Sequence, residues 1–203
     1  VLVDSEPLAN AVLAKALTRY GLPLSVEESM SMFVGLSMTA VVDKVHALLD
    51  KKLPDDFLDR VQADTFAAFK GRIQPIKGVE ALVQSVQQSG LKTCVASSGG
   101  FDKMDVTLIE TGLKRYFDGR IFSSSQVKRG KPFPDLFLFA ARQMNVSPEE
   151  CMVIEDSRFG LEAAVRAGMQ AIAYAPDGGL SDFKGQGVQM VRAMSDVKEH
   201  LKL

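Results

Sequence analysis

A chain of 203 residues, 46% hydrophobic and 24% charged, has room for one ordinary domain or for one domain carrying a smaller insert. Its balance excludes disordered, collagen-like and coiled-coil proteins. Twenty-four basic against 25 acidic residues give a net charge of −1, which leaves no footprint for bulk nucleic acid or an anionic membrane. No apolar run approaches the roughly 20 residues of a bilayer helix, and the first residues show no signal-peptide pattern. Cys94 and Cys151 lie in apolar runs and read as reduced core residues of a cytoplasmic protein. His46 and His200 are too few and too isolated for a histidine-based metal site, so any enzymatic chemistry here runs on carboxylates, hydroxyls and lysine.

From Leu8 to Gly71 the apolar residues recur with helical spacing. A first helix carries Leu8, Val12, Leu13 and Ala16 and stops at Gly21 and Pro23. Ser25 caps a second, with Glu28 in capping-box position and Gly35 at its end. Ser37 starts a third, whose stripe is Val41, Val42, Val45, Leu48 and Leu49. Pro54 opens a fourth, which turns Phe57, Leu58, Val61, Phe66 and Phe69 inward and closes at Gly71.

Beyond Pro75 the pattern changes to short apolar runs at 91–97, 119–123, 151–155, 169–174 and 188–191. Helical segments at 79–88, 101–111, 135–144 and 160–167 separate most of them. Strands that are apolar throughout and alternate with helices predict a doubly wound parallel α/β sheet covered on both faces. The expected organisation is a core of residues 1–7 and 74–203 with an all-helical insert at 8–73.

Ligands of open parallel sheets bind at the carboxyl ends of the strands. Three strand ends here carry chemistry. The first run leads into Ser97-Ser98-Gly99-Gly100 before a helix, which makes either an anion site of hydroxyls and freed N–H groups or a plain capped turn. The second leads to Lys131, followed by two prolines that stiffen the backbone, so the lysine is either a held counter-charge for a phosphate or part of a solvated basic loop. The third ends in Glu155-Asp156-Ser157. Paired carboxylates there suit Mg²⁺, unless Asp156 merely caps the next helix. On one sheet these ends share an edge, so the groups can converge on a phosphate and a divalent cation.

The ordered set resembles the haloacid dehalogenase (HAD) superfamily, and within it the β-phosphoglucomutase-like phosphatases with a helical cap. Val1–Pro7 resembles the stretch after that family's first motif, 8–71 its cap, and Ser97, Lys131 and Glu155-Asp156 its second to fourth motifs. The resemblance implies a Mg²⁺-dependent phosphatase acting on a small phosphorylated metabolite, such as a sugar phosphate, through an aspartyl-phosphate. Ser97, Ser98 and Lys131 would bind the phosphoryl group, Asp156 with Glu155 the metal, and the cap loop Gly35-Leu36-Ser37-Met38 would select the substrate. The family's D-x-D-G, with its nucleophile and its general acid/base, precedes the stretch that begins here at Val1. The sequence is therefore expected to be a fragment of the functional protein, with one further strand before Val1.

Sugar-phosphate mutases of the family carry an arginine where Met38 stands and a histidine near Ala9, so a phosphatase is favoured over a phosphomutase. A dehalogenase would not need the Glu155-Asp156 pair, and a receiver-type phosphate-binding module would lack the helical insert. The sequence leaves the oligomeric state open, a monomer among the possibilities.

Overall fold

The computed structural model describes residues 1–34, 36, 38–49, 52–183 and 187–201. The chain divides into two compact units, Val3–Gln74 and Val1–Leu2 with Pro75–Leu203.

The first unit holds helices α1 (Glu6–Arg19), α2 (Val26–Phe33), α3 (Met38–Leu48) and α4 (Phe57–Phe69). The Ser25 hydroxyl accepts the Glu28 N–H while the Glu28 carboxylate accepts that of Ser25, so α2 starts on the expected capping box. Leu13, Leu17, Phe33, Val41, Val45, Phe57 and Val61 form its core. Two details differ from the periodicity. Leu48 ends α3 and is 50% exposed, leaving half-buried Leu49 to extend the stripe. Pro54 lies ahead of α4, where Asp56 takes the cap position, and on the inner face Thr65 is buried while Phe66 is only half so. Thr65 fits there because its hydroxyl donates to the Val61 carbonyl within the helix, so no polar group is stranded.

The second unit is the α/β core. Its strands are β1 (Val95–Ser97), β2 (Ile121–Ser123), β3 (Met152–Glu155), β4 (Gln170–Tyr174) and β5 (Val188–Val191). Around them run α5 (Val79–Gln88), α6 (Phe101–Glu110), α7 (Asp135–Met144), α8 (Arg158–Arg166) and α9 (Met194–His200), the last without a clear apolar signal in the sequence. Among the described residues every strand pair is parallel. Phe137, Val153, Leu161, Ala163, Ala164, Ala171 and Ala173 share one core cluster, in which small side chains bring α8 close to β3 and β4. The run at 91–97 yields only three strand residues, because its partner β2 begins at Ile121 and Leu91 and Lys92 are exposed. Cys94 and Cys151 are free and, though only half-buried, pack against the core clusters as expected.

Among the described residues the sheet is in two pieces, β1-β2 and β3-β4-β5. The Val95 N–H donates to the Arg120 carbonyl, and alternation along a parallel ladder then turns the N–H and C=O of Ala96 to the edge away from β2. Likewise the Cys151 carbonyl accepts the Gln170 N–H, so Met152 and Ile154 face away from β4. Each piece thus presents an open edge. Where the two units meet along the chain, the Ile76 N–H donates to Leu2 O at 3.0 Å and the Asp4 N–H to Gln74 O at 3.1 Å. Among the described residues, no helix is long and apolar enough to cross a membrane.

Candidate active site

The carboxyl ends of β1 and β3 are joined by one side chain. The Lys131 ammonium donates to the Ala96 carbonyl on the open edge of β1 at 3.2 Å and to Glu155 Oε2 at the end of β3 at 3.0 Å. It also lies 4.7 Å from the Phe137 ring centroid, within cation–π range. With 8% of its side chain exposed, Lys131 is held and dry, and one of its three N–H donors remains uncommitted to these partners.

Glu155 is equally enclosed. Its other oxygen, Oε1, accepts the Ser157 hydroxyl at 2.8 Å, and that same hydroxyl oxygen accepts the Gly160 N–H at 3.0 Å as the N-cap of α8. Gly160 has its own reason to be there: a Cβ at this position would overlap Cγ and Cδ of Glu155. In the structure the Glu155 carboxylate is held by Lys131 and Ser157. Successive residues leaving a strand point to opposite sides. Glu155 turns inward to neutralise Lys131, and Asp156 turns outward, its side chain 47% exposed. Asp156 is not the helix cap either; Ser157 is.

The Val1 amino group lies 2.6 Å from Asp156 Oδ2. Among the described residues no group of three or more His, Cys, Asp or Glu could enclose a metal ion. A single outward carboxylate fits Mg²⁺ in the way that ion is commonly held, with one or two protein carboxylates and the remaining positions filled by water and substrate phosphate.

The third strand end is the loop after β1. The Gly99 N–H donates to Ser97 Oγ at 3.1 Å, which leaves the Ser97 hydroxyl proton free to donate elsewhere. The N–H groups of Ser98 and Gly100 have no acceptor among the described residues, and Gly100 is the N-cap of α6. Hydroxyl and N–H donors at a helix start form an anion-binding edge. Ser123 and Ser124, at the end of β2, donate to the carbonyls of Gly99 and Ser98. The roles of these two serines, and of Ser157 and Gly160, escaped the sequence reading. The S-S-S run after a strand and the S-x-x-G spacing were the signals that could have shown them. In the helical unit Leu36 and Met38 are exposed, while Gly35 and Ser37 lie outside the described residues.

The strand ends of this parallel α/β core thus gather hydroxyl and amide donors, a buried lysine and an outward carboxylate. The haloacid dehalogenase-like hydrolase profile matches residues 1–174, and the chain belongs to that family. It is 28% identical over 179 residues to the 6-phosphogluconate phosphatase of Escherichia coli K12, covering 87% of this chain and 79% of that one. It is 30% identical over 172 residues to the phosphorylated carbohydrates phosphatase of Thermotoga maritima, covering 85% and 79%. A HAD family hydrolase of Deinococcus radiodurans, crystallised with bound phosphate and sodium, superimposes with a TM-score of 0.81 at 28% identity, over 99% of this chain and 90% of that one.

Proposed function

We propose that the protein is a cytoplasmic, Mg²⁺-dependent phosphomonoesterase acting on a small phosphorylated metabolite such as a sugar phosphate. The observation that carries this reading is the Lys131 ammonium, which ties the strand leading into the Ser97 loop to the strand leading into Asp156. The named relatives are phosphatases of 6-phosphogluconate and of phosphorylated carbohydrates, and the Deinococcus structure contains bound phosphate and sodium.

In this reading Ser97 O–H and Ser98 N–H hold two phosphoryl oxygens, and the remaining N–H of Lys131 reaches a third or the nucleophile. Asp156 would hold Mg²⁺, which when bound offsets phosphoryl charge. In the aspartyl-phosphate route that the family resemblance implies, the attacking group is an aspartate carboxylate. Its carboxylate oxygen bonds to phosphorus as the ester P–O bond breaks, and the leaving alkoxide takes a proton from the general acid of the family's D-x-D-G motif. Water then attacks the aspartyl-phosphate, releasing inorganic phosphate and restoring the carboxylate. The groups of this chain orient charge and exclude water rather than bond covalently, as phosphoryl transfer requires. The helical unit would act as the cap, with substrate choice assigned to 35–38; Met38 there offers no charge to a second phosphate.

The test is a panel of phosphorylated metabolites on full-length protein, read as phosphate release. Stoichiometric release from a monoester supports the reading. Interconversion of isomers primed by a bisphosphate, with little net hydrolysis, would overturn it.

A further inference from the structure

The serine run at the end of β2 explains how the Ser97 loop is aimed. Ser123 is fully buried and Ser124 half-buried. The Ser124 hydroxyl donates to Ser98 O at 2.9 Å and the Ser123 hydroxyl to Gly99 O at 2.8 Å. Those carbonyls belong to consecutive peptide units, Ser98–Gly99 and Gly99–Gly100, both trans. In a trans peptide the N–H points opposite to the C=O, so fixing one fixes the other.

In the first unit the opposite end is the Gly99 N–H, which meets Ser97 Oγ at 3.1 Å. An unbroken line then runs from the Ser124 hydroxyl through the peptide to the Ser97 oxygen, and each hydrogen bond polarises the next. With a lone pair taken by the Gly99 N–H, the Ser97 hydroxyl keeps its own proton to donate. In the second unit the Gly100 N–H is turned away from Ser123 and has no acceptor among the described residues. Ser123 is itself locked. Its oxygen accepts the Ser125 N–H at 3.2 Å and the Ser125 hydroxyl at 3.0 Å, so its one proton goes to Gly99 O.

Resting on the phosphatase reading above, we infer that Ser123 and Ser124 are positioning residues for phosphoryl binding. They set the directions of Ser97 O–H and Gly100 N–H from behind the loop and do not touch the substrate.

Inorganic phosphate is the probe, with its dissociation constant measured on full-length protein beside thermal unfolding. Ser124→Ala should weaken phosphate binding about tenfold, the worth of one well-aimed hydrogen bond, with an unchanged melting temperature. Ser124→Thr, which keeps the hydroxyl, should restore it. Ser123→Ala should weaken binding at least as much, and if that variant unfolds, Ser124 alone carries the test. Ser89→Ala removes a comparable hydroxyl at the end of α5 and should change nothing. Phosphate affinity unmoved by Ser124→Ala but lost in Ser97→Ala would overturn the inference and leave the phosphatase reading standing. Affinity unmoved by Ser97→Ala would overturn that reading and the inference with it.

Discussion

Lys131 and Glu155 form a buried ion pair, Nζ to Oε2 at 3.0 Å, with 8% and 10% of their side chains exposed. Removing one member of such a pair leaves an uncompensated charge, a loss of about 3–5 kcal/mol, whereas replacing both by apolar groups costs far less. Lys131→Met and Glu155→Leu should each destabilise by about 3 kcal/mol, and the double variant by much less than their sum. Urea unfolding of the three variants measures this. Additive losses would mean that the two side chains are not coupled.

Gly160 tests the same enclosure from the other side. Within a helix, Gly→Ala normally stabilises by roughly 1 kcal/mol. Here the added methyl would displace the Glu155 carboxyl from Lys131 and Ser157, so the sign should reverse to a loss of about 1–3 kcal/mol. A Gly160→Ala protein that unfolds at the same or a higher temperature than wild type would show that Glu155 is not confined.

Asp156→Asn separates metal binding from architecture. Because Ser157 caps α8, this change should alter stability in chelator by no more than about 0.5 kcal/mol. Mg²⁺-dependent turnover of the full-length enzyme should fall steeply. A variant with the wild-type Mg²⁺ requirement, or wild-type turnover that survives chelation, would remove Asp156 from the metal site.

Burial pushes the Cys94 thiol up to about 11, with a smaller contribution from Cys151. An unfolded thiol ionises near 8.5, so between those values the unfolded state binds fewer protons than the folded one. The stability contributed is complete below about 8.5 and is lost as pH rises toward 11. Thermal unfolding from pH 8 to 10.5 should show a decline that Cys94→Ala lessens. Parallel curves for the two proteins would contradict it.

The open sheet edges make a prediction for hydrogen exchange. In the 203-residue polypeptide the amides of Ala96, Met152 and Ile154 should exchange at least about tenfold faster than those of Val95 and Val153. A longer polypeptide whose additional residues pair with these edges should protect all five. Uniform protection without such residues would mean that the edges are closed in another way.

The sequence made the architecture legible where periodicity was strong. The four helical stripes, the apolar strands and the Ser25–Glu28 capping box all follow from spacing. The Ser97, Lys131 and Glu155-Asp156 strand ends were equally visible, because polar groups that interrupt apolar runs are conspicuous. Their division of labour was not. Glu155 and Asp156 are neighbours in sequence but face opposite ways, and the partner that takes Glu155, Lys131, lies 24 positions away. Ser123 and Ser124 were hidden for a related reason: their partners are backbone carbonyls, which no residue type advertises.

The paired crossings at Leu2–Ile76 and Asp4–Gln74 give the helical excursion coincident ends. A segment whose ends already meet can be exchanged for one of different length without rethreading the sheet or moving a strand end. Cuts between Leu2 and Val3 and between Gln74 and Pro75 therefore mark a cassette boundary. The helical unit can diversify as a module while the lysine, the serines and the carboxylates stay in register.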